Sequence, residues 1–369
     1  MEIPLARPDI TPAEIDAVVA VMKTPHLSLG PKLAEFEAAF ARYCGTRYAV
    51  AISSGTSALH LCMAAIGIRP GDEVISTPFS FVASSNCILF EGGRPVFVDI
   101  DPDTWNIDPA RIEAAVTPRT RAIIPVDVFG QPADMDPILA VARKHGLRVV
   151  EDSCEALGAR YHGRRAGALG DVGVFGFYPN KQITTGEGGM IVTNDEPIAR
   201  VARSMRNQGR GEGAGWLTHE RLGYNFRLSD INCALGLAQL HRIDEILARR
   251  ARVAEMYLQR LAGDDRLRTQ KIIPGVEMSW FVFVVRLADR YAEADRDRIM
   301  GELRARNIGC NRYFTPIHLQ PYMRERFGFK PGDFPVCEAV AARTIALPFY
   351  GTMTEAEVDA VWDALKSLL

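Results

Sequence analysis

Short apolar runs alternate with helically spaced segments between residues 48 and 195 of the chain. The runs predict strands at 48–52, 73–76, 95–100, 121–129, 148–151, 172–177 and 190–193. Apolar residues between the runs recur at helical spacing, as in segments 56–66 and 135–145. A chain that alternates strands and helices in this way builds a mostly parallel sheet covered by helices on both faces.

A long helical pattern follows the alternating region, and the character of the chain changes after residue 261. Segment 228–261 predicts one long helix or a kinked pair, with Ser229 as its N-cap. Thr354 and Glu357 form a capping box that opens the last helix. The remaining predicted elements are a strand at 278–287 and helices at 295–306 and 354–368.

These two patterns indicate two domains. We expect a large α/β domain at residues 1–250, with a seven-stranded, mostly parallel sheet, and a smaller α+β domain at residues 251–369. Segment 1–30 is expected to pack on the smaller domain. A chain of 369 residues is long enough to bury both cores.

Composition narrows the classes of function. Hydrophobic residues make up 47% and charged residues 24%, and the net charge is -2, so neither nucleic acid nor an anionic membrane is an expected partner. No stretch approaches the roughly 20 apolar residues of a membrane span, and the N-terminus has no signal pattern. Seven cysteines without C-x-x-C spacing argue against disulfides and favour a reducing, cytoplasmic location. The histidines show no ligand spacing, so no metal site is expected.

Lys181 is the most informative residue of the sequence. An apolar, strand-like stretch breaks at Pro179, and Lys181 follows it before the glycine-rich turn 184–189. Lysine side chains are normally solvated, whereas this one stands at the end of a strand that should be buried. Burial makes a lysine amine nucleophilic, which predicts chemistry through a Schiff base.

A predicted anion site follows the first strand. The run Ser-Ser-Gly-Thr-Ser-Ala at 53–58 opens a helix, whose first N–H groups are unpaired and lie at the positive end of the helix dipole. Gly55 lets the backbone approach a ligand, and the hydroxyls of Thr56 and Ser57 add donors. The alternative is that this run only caps the helix.

Asp152 and Phe81 are candidate partners of Lys181. Asp152 ends a predicted strand, at the edge where open α/β sheets bind ligands, and its carboxylate could hold a protonated ring nitrogen. Phe81 follows another strand and could stack on a planar cofactor. The alternatives are a turn cap for Asp152 and an ordinary core aromatic for Phe81. The glycine run 209–215 follows a helical segment rather than a strand, and we expect a mobile loop there instead of a nucleotide site.

These residues, in this order, resemble the fold-type-I enzymes that use pyridoxal 5'-phosphate (PLP), and more narrowly the DegT-type (DnrJ/StrS) nucleotide-sugar aminotransferases. The resemblance covers nearly the whole chain. The motifs that carry it lie at residues 27–31, 35–37, 54–56, 71–74, 77–78, 151–152, 181 with 184–189, 222–227, 234–239 and 317–321.

The resemblance implies roles for the cofactor-binding residues. Lys181 would bond to PLP as a Schiff base, Asp152 would pair with its pyridine nitrogen, and Phe81 would stack on its ring. The phosphate would be bound by Gly55, Thr56 and Ser57.

Three further residues are assigned by the resemblance to the substrate or to a second subunit. Asn225 would reach the phosphate from the neighbouring chain, which implies a homodimer with shared active sites. Tyr178 and His318 would lie on the substrate side of the site.

Two positions depart from the commonest family pattern. Gly176 replaces a serine that bonds the phosphate, so one contact is expected to be missing. Glu155 replaces glutamine or histidine close to the cofactor ring oxygen and adds an acid there. A dehydratase branch of the family replaces the lysine with histidine, so Lys181 favours transamination.

The expected function is therefore transamination with PLP, cycling through its amine form PMP. L-Glutamate would donate the amino group to a nucleotide-linked keto sugar, first of all a 4-keto-6-deoxyhexose. A 3-keto sugar or a keto-inositol is the alternative substrate. A non-catalytic binding or regulatory protein is the alternative class, although such a protein would have little reason to keep Lys181, Asp152 and residues 54–56 together.

Overall fold

A computed structural model of the chain describes residues 2–211 and 218–369. Residues 212–215 of the predicted glycine loop lie outside the described residues. The helices are α1 (Pro12–Met22), α2 (Pro31–Cys44), α3 (Gly55–Ala65), α4 (Ala83–Phe90), α5 (Pro109–Ile112), α6 (Met135–His145), α7 (Glu196–Arg206), α8 (Asp230–His241), α9 (Ile243–Leu261), α10 (Glu293–Ala305), α11 (Pro321–Phe327), α12 (Pro335–Ala341) and α13 (Glu355–Lys366). Within the described ranges, none of them is both long and apolar enough to cross a membrane.

The strands form one large and two small sheets. They are β1 (Tyr48–Ile52), β2 (Glu73–Ser76), β3 (Arg94–Phe97), β4 (Thr120–Ile123), β5 (Arg148–Asp152), β6 (Arg160–Tyr161), β7 (Arg164–Arg165), β8 (Val172–Gly176), β9 (Gly189–Thr193), β10 (Leu267–Arg268), β11 (Val276–Glu277), β12 (Phe283–Leu287) and β13 (Thr344–Leu347). The large sheet has seven strands in the order β1-β9-β8-β5-β4-β2-β3.

Most neighbouring strands of the large sheet are parallel. The pairs from β8 through β5, β4 and β2 to β3 all run in the same direction, and only β9 runs against its neighbours β1 and β8. The predicted seven-stranded, mostly parallel sheet is therefore confirmed.

Helices cover both faces of this sheet, as its apolar strands require. Helices α3, α4 and α7 pack on one face, in a core that includes Val50, Val150 and Val174. Helices α2 and α8 pack on the other face at the β1–β9–β8 end, in a core that includes Phe40, Phe175 and Val192. The sheet is thus buried on both sides, and only its edges are open to a ligand.

The predicted strand at 121–129 is wrong beyond residue 123. β4 ends at Ile123, and Pro125 cannot donate a ladder hydrogen bond. The chain then makes a single bridge from Val126 to Asp152 before a 3-10 turn at Val128–Gly130. An apolar run alone could not distinguish this buried turn from a longer strand.

The predicted helix 228–261 is the kinked pair, α8 and α9. The helices meet at Arg242, whose backbone leaves the helical region at φ -103 and ψ 9. Ser229 caps α8 as predicted, by accepting a hydrogen bond from the Asn232 amide. The strand predicted at 278–287 is confirmed only for β12, since β11 ends at Glu277.

A second core lies in the C-terminal part of the chain. The antiparallel sheet β10-β12-β13 and helices α9, α10 and α13 enclose it. Ile3 is also buried there and pairs with Ile308, whereas helix α1 packs against α8. The N-terminal segment therefore contacts both parts of the chain, and the domain division at residue 250 stays a prediction.

Glu14 fixes helix α1 to the α8–α9 junction. Its buried carboxylate accepts hydrogen bonds from the Thr11 amide at 2.7 Å, from Gln239 at 2.9 Å and from Arg242 at 2.7 Å. Burial works to raise the pKa of Glu14, but the bonds from Thr11, Arg242 and Gln239 outweigh it and hold the pKa at about 2.

Replacing Glu14 should weaken the fold in a pH-dependent way. Because the folded pKa lies below the ordinary value of 4.5, the charged form stabilises the fold above pH 4.5, and this contribution disappears as the pH falls to about 2. We expect Glu14→Gln to cost about 2–3 kcal/mol at pH 7, measured by urea unfolding. The gap to wild type should narrow below pH 4.5.

The matched control is Glu35→Gln. Glu35 is half-exposed and pairs with Lys32 at 2.6 Å on the surface of α2. We expect that change to cost less than about 1 kcal/mol. Equal losses at the two positions would contradict the special role given to Glu14.

Candidate active site

A cleft of about 350 Å³ opens at the carboxyl edge of the large sheet. The turn between β1 and α3, the end of β5 and the connection from β8 to β9 form its floor, and residues 281, 313 and 314 close one side. The polar or charged side chains in its lining are Ser54, Thr56, Ser80, Asp152, Cys154, Glu155, Tyr178, Asn180, Lys181, Glu187 and Tyr313.

The turn before α3 forms a close-packed backbone cradle. Ser54 caps the helix, because its Oγ accepts a hydrogen bond from the Ser57 amide at 3.0 Å. A side chain at Gly55 would stand 3.0 Å from the Cys154 sulfur, and one at Gly189 would stand 2.6 Å from the Ser54 carbonyl carbon. Glycine at these two positions is therefore what brings the helix N-terminus to the floor of the cleft.

The predicted phosphate residues divide between two depressions. Gly55 and Thr56 line the main cleft, whereas Ser57 lines a neighbouring depression together with Thr56, His60, Phe90 and Phe226. Gly176 also lines the cleft and has no hydroxyl to offer a ligand; a Cβ built there would stand 3.5 Å from the Cys154 sulfur and 3.9 Å from the Gly55 Cα.

Asp152 is buried at the end of β5 and lines the cleft. Its Oδ2 accepts a hydrogen bond from the Ser84 hydroxyl at 2.7 Å, and Ser84 lies 2.8 Å from the Ser80 hydroxyl. Its Oδ1 accepts only a long bond, 3.3 Å, from the Cys154 amide. The carboxylate is thus oriented by hydroxyls without a cationic partner in the described chain, which suits it to a cationic ligand group. Sequence reasoning missed Ser84, which no motif singled out.

Lys181 follows β8 and extends into the cleft. Its amide donates to the Tyr178 carbonyl at 2.9 Å, and this turn directs the residue away from the strand. The side chain is 15% exposed, and its Nζ lies 3.6 Å from Glu155 Oε1 and 3.9 Å from the centre of the Phe281 ring. Both groups attract a positive charge.

Glu155 is the buried acid beside Lys181. Its Oε2 accepts a hydrogen bond from the Phe129 amide at 2.9 Å. Burial raises the pKa of Glu155, while the nearby Lys181 and the Phe129 amide act in the opposite direction. The resemblance assigned this acid to the cofactor ring oxygen, and the structure adds direct contact with the lysine.

Aromatic rings form the outer wall of the cleft. Phe81 and Tyr178 line the cleft and are exposed, and their roles stay predictions. Phe281, Tyr313 and Phe314 are deeper and were missed by sequence reasoning, since they come from loops of the C-terminal part that carry no motif. Burial raises the pKa of Tyr313.

Two predicted residues lie away from this cleft. Asn225 is exposed and bridges to Asn207, so its assignment to a neighbouring subunit stays a prediction. His318 is fully buried and does not line the cleft; its Nε2 lies 3.0 Å from Glu338, and burial lowers its pKa. The structure therefore does not bring His318 to the site as expected, because the aromatic rings of Phe329 and Phe334 enclose it.

The arrangement fits a flat, phosphate-bearing aldehyde with a basic ring nitrogen. An amine and a carboxylate that has no cationic partner among the described residues both line the cleft, and close packing at Gly55 and Gly189 brings a helix N-terminus to it. The residues present therefore fit PLP.

Comparison with known proteins agrees with this geometry. Residues 8–366 match the model of the DegT/DnrJ/EryC1/StrS aminotransferase family. GDP-perosamine synthase of Caulobacter vibrioides is 42% identical over 370 residues, which cover 100% of this chain and 98% of the relative.

Two solved structures have the same fold over nearly their whole length. DesV of S. venezuelae, in complex with a ketimine intermediate, superposes with a TM-score of 0.90 at 36% identity and covers 96% of this chain and 93% of its own. The PLP form of the sugar aminotransferase Spr1654 from Streptococcus pneumoniae superposes with a TM-score of 0.95 at 30% identity and covers 100% and 98%.

Adding one methyl group at Gly189 should disturb the backbone cradle and weaken PLP binding. Gly189→Ala would place Cβ 2.6 Å from the Ser54 carbonyl and 2.8 Å from the Gly55 amide, both backbone groups that cannot rotate away. We expect the dissociation constant of PLP, measured by fluorescence titration, to rise about tenfold or more, equivalent to at least about 1.4 kcal/mol.

Gly301→Ala is the control. Gly301 lies on α10, where an added Cβ would meet nothing within 4 Å. That change should leave PLP binding unaffected. Unchanged binding in both variants would contradict the assignment of the cradle.

Proposed function

The chain belongs to the DegT/DnrJ/EryC1/StrS aminotransferase family, and on that premise we propose that it transfers the amino group of L-glutamate to a nucleotide-linked 4-keto-6-deoxy sugar. It is a PLP-dependent aminotransferase. The observation that carries the proposal is the position of Lys181 Nζ in a cleft that Asp152 and the glycine cradle also line.

Each cofactor contact is proposed for a residue that the fold holds in place. When bound, PLP supplies an electron sink for the electrons left when the α-carbon of the amino donor loses its proton. Asp152, oriented by Ser84, would hold the ring nitrogen, and the first turn of α3 at Gly55 and Thr56 would bind the phosphate. In the first half of the reaction Lys181 would act as the base that takes the proton from the donor's α-carbon, and in the second half as the acid that supplies a proton to the sugar carbon that gains the amino group.

The cleft wall supports a deoxy sugar as the substrate. Tyr178, Phe281, Tyr313 and Phe314 present aromatic surface, which packs against C–H groups and against a methyl substituent. Asn180 adds a buried carboxamide oxygen that has no partner within the described chain and could accept a hydrogen bond from a sugar hydroxyl. The name of the Caulobacter relative supports GDP as the first nucleotide to test.

A homodimer with shared sites is part of the proposal. Exposed apolar side chains on α1, among them Ile15, Val19 and Met22, and Leu222 near Asn225 offer surface for a second copy. A cytoplasmic location is also proposed, supported by seven cysteines that are all free thiols in the fold.

The direct test is an assay with defined substrates. Incubation with L-glutamate and a GDP-, dTDP- or UDP-linked 4-keto-6-deoxyhexose should give an aminated nucleotide sugar, detected by mass spectrometry, and 2-oxoglutarate. Lys181→Ala should lower kcat by about 1000-fold, in the range lost with a general base. Lys271→Ala, at a largely exposed surface lysine, is the control and should keep full activity. Release of no 2-oxoglutarate with any of these keto sugars would refute the proposal.

Mixed dimers test the shared site. Lys181→Ala and Asn225→Asp should each lower activity, the second by repelling the phosphate at limiting PLP. After co-refolding in equal amounts, one site in each mixed dimer has both native residues, so about a quarter of wild-type activity should return. Activity no higher than the sum of the two separate variants would show that Asn225 does not act across subunits.

A further inference from the structure

Glu155 is held at two points, its carboxylate and its backbone carbonyl. Its carboxylate oxygen Oε2 accepts the hydrogen bond from the Phe129 amide. Its backbone carbonyl accepts a hydrogen bond from the Gln182 side chain, which also donates to the Ser279 hydroxyl at 2.8 Å. Gln182 is the residue next to Lys181, so the acid and the lysine are anchored through the same neighbour.

The amide that holds Glu155 comes from a strained turn. Phe129 has φ 60, a left-handed conformation that costs a non-glycine residue about 1–2 kcal/mol. Gly130 follows at φ 100, where a Cβ would stand 2.9 Å from the Phe281 amide. The turn is kept by hydrogen bonds from the Ser279 and Phe281 amides to the carbonyls of Gly130 and Phe129. Strain of this kind persists where the surroundings enforce it, often at functional sites.

The charges around Glu155 favour a pair with Lys181. Burial raises the pKa of Glu155, Lys181 lowers it, and Asp152 raises it further. The Tyr313 phenol and the Cys154 thiol also respond to this carboxylate, and burial raises the pKa of both, which keeps them neutral. On the opposite side, the Phe281 ring faces the ammonium at 3.9 Å. The Nζ atom of Lys181 therefore lies between the Glu155 carboxyl group and the face of the Phe281 ring, inside the cleft.

We propose that Glu155 is a positioning residue that holds the free amine of Lys181 in the cleft and accepts a proton from it. In the step, an Nζ–H bond of the ammonium breaks and an O–H bond forms on Glu155 Oε1. The nitrogen keeps the bonding electron pair, so a neutral amine and a neutral carboxylic acid result, with no other reactant. This role of Glu155 rests on the proposed function, because only an enzyme that uses PLP has an aldehyde for the Lys181 amine to react with.

This step resolves a conflict between burial and charge. A lysine is a nucleophile only as the neutral amine, whereas the Glu155 carboxylate and the Phe281 ring beside Lys181 both attract a positive charge. Transfer to Glu155 releases the amine without a proton reaching bulk water, since the side chains of Lys181 and Glu155 are only 15% and 8% exposed.

The rate of PLP capture by the apo-protein tests this role without any turnover. Capture is followed by stopped-flow absorbance at several pH values for wild type, Glu155→Gln and Glu155→Asp. We expect Glu155→Gln to slow capture at pH 7 by about tenfold or more, the lower end of a lost general base. The deficit should shrink at alkaline pH, where an amine loses its proton to hydroxide without help. Glu155→Asp keeps the acid at a longer reach and should recover part of the rate.

Glu325→Gln, at an exposed glutamate of α11, is the matched control and should capture PLP as wild type does. Thermal melting of each variant separates a folding defect from a slow step, and Glu155→Asp decides the question if Glu155→Gln does not fold. Capture by Glu155→Gln within about twofold of wild type at every pH would overturn the role of Glu155 and leave the proposed function standing. Failure of the wild type itself to capture PLP would instead refute the proposed function.

Discussion

Parallel strand order is the constraint on which this site depends. Because β2, β4, β5 and β8 run in one direction, their carboxyl ends meet at one edge of the sheet. Asp152 stands at the end of β5 and Lys181 follows β8, so two residues distant in sequence line one cleft. Strand β9 runs the other way, which brings its first residue, Gly189, beside Ile52 and the cradle.

The carboxylates buried at this edge of the sheet need hydrogen-bond donors, which limits the residues that can surround them. Each buried carboxylate has donors aimed at it, as burial of an unpaired anion would be costly. Glu151 accepts three backbone amides from residues 167, 169 and 170, which act against the burial that raises its pKa to about 7. Asp127 accepts the Ser153 hydroxyl, and Asp152 accepts that of Ser84. Glu155 is the one whose neighbour is a reactive amine, and this distinguishes it from acids that only support the fold.

Many strands and helices could be predicted from the sequence because the patterns that mark them lie within short segments of the chain. Apolar runs placed β1 and β2 correctly, and the capping box at Thr354 marked the start of α13. The ordered motifs gave the family, which the match over residues 8–366 confirms. Lys181, Asp152 and Gly55 were candidates because each follows a strand, and the structure brings all three to one cleft.

What sequence could not give depends on contacts between distant segments. Phe281 and Tyr313 reach the cleft from loops of the C-terminal part, and no periodicity marks a loop residue that faces a distant site. The motif that pointed to His318 likewise says nothing about the phenylalanines that bury it outside this cleft, and its role on the substrate side stays a prediction. The contact of Glu155 with Lys181 needed the left-handed turn at Phe129, which an apolar run had suggested was a strand.

Covalent trapping identifies the lysine that bonds to PLP, which we expect to be Lys181. The PLP-loaded protein is reduced with borohydride and digested, and the modified peptide is identified by mass spectrometry. The chain has seven lysines, at positions 23, 32, 144, 181, 271, 330 and 366, so the modified residue can be assigned without ambiguity. We expect one pyridoxyl group per chain, on Lys181. A pyridoxyl group on another lysine, or none on a protein saturated with PLP, would contradict this assignment.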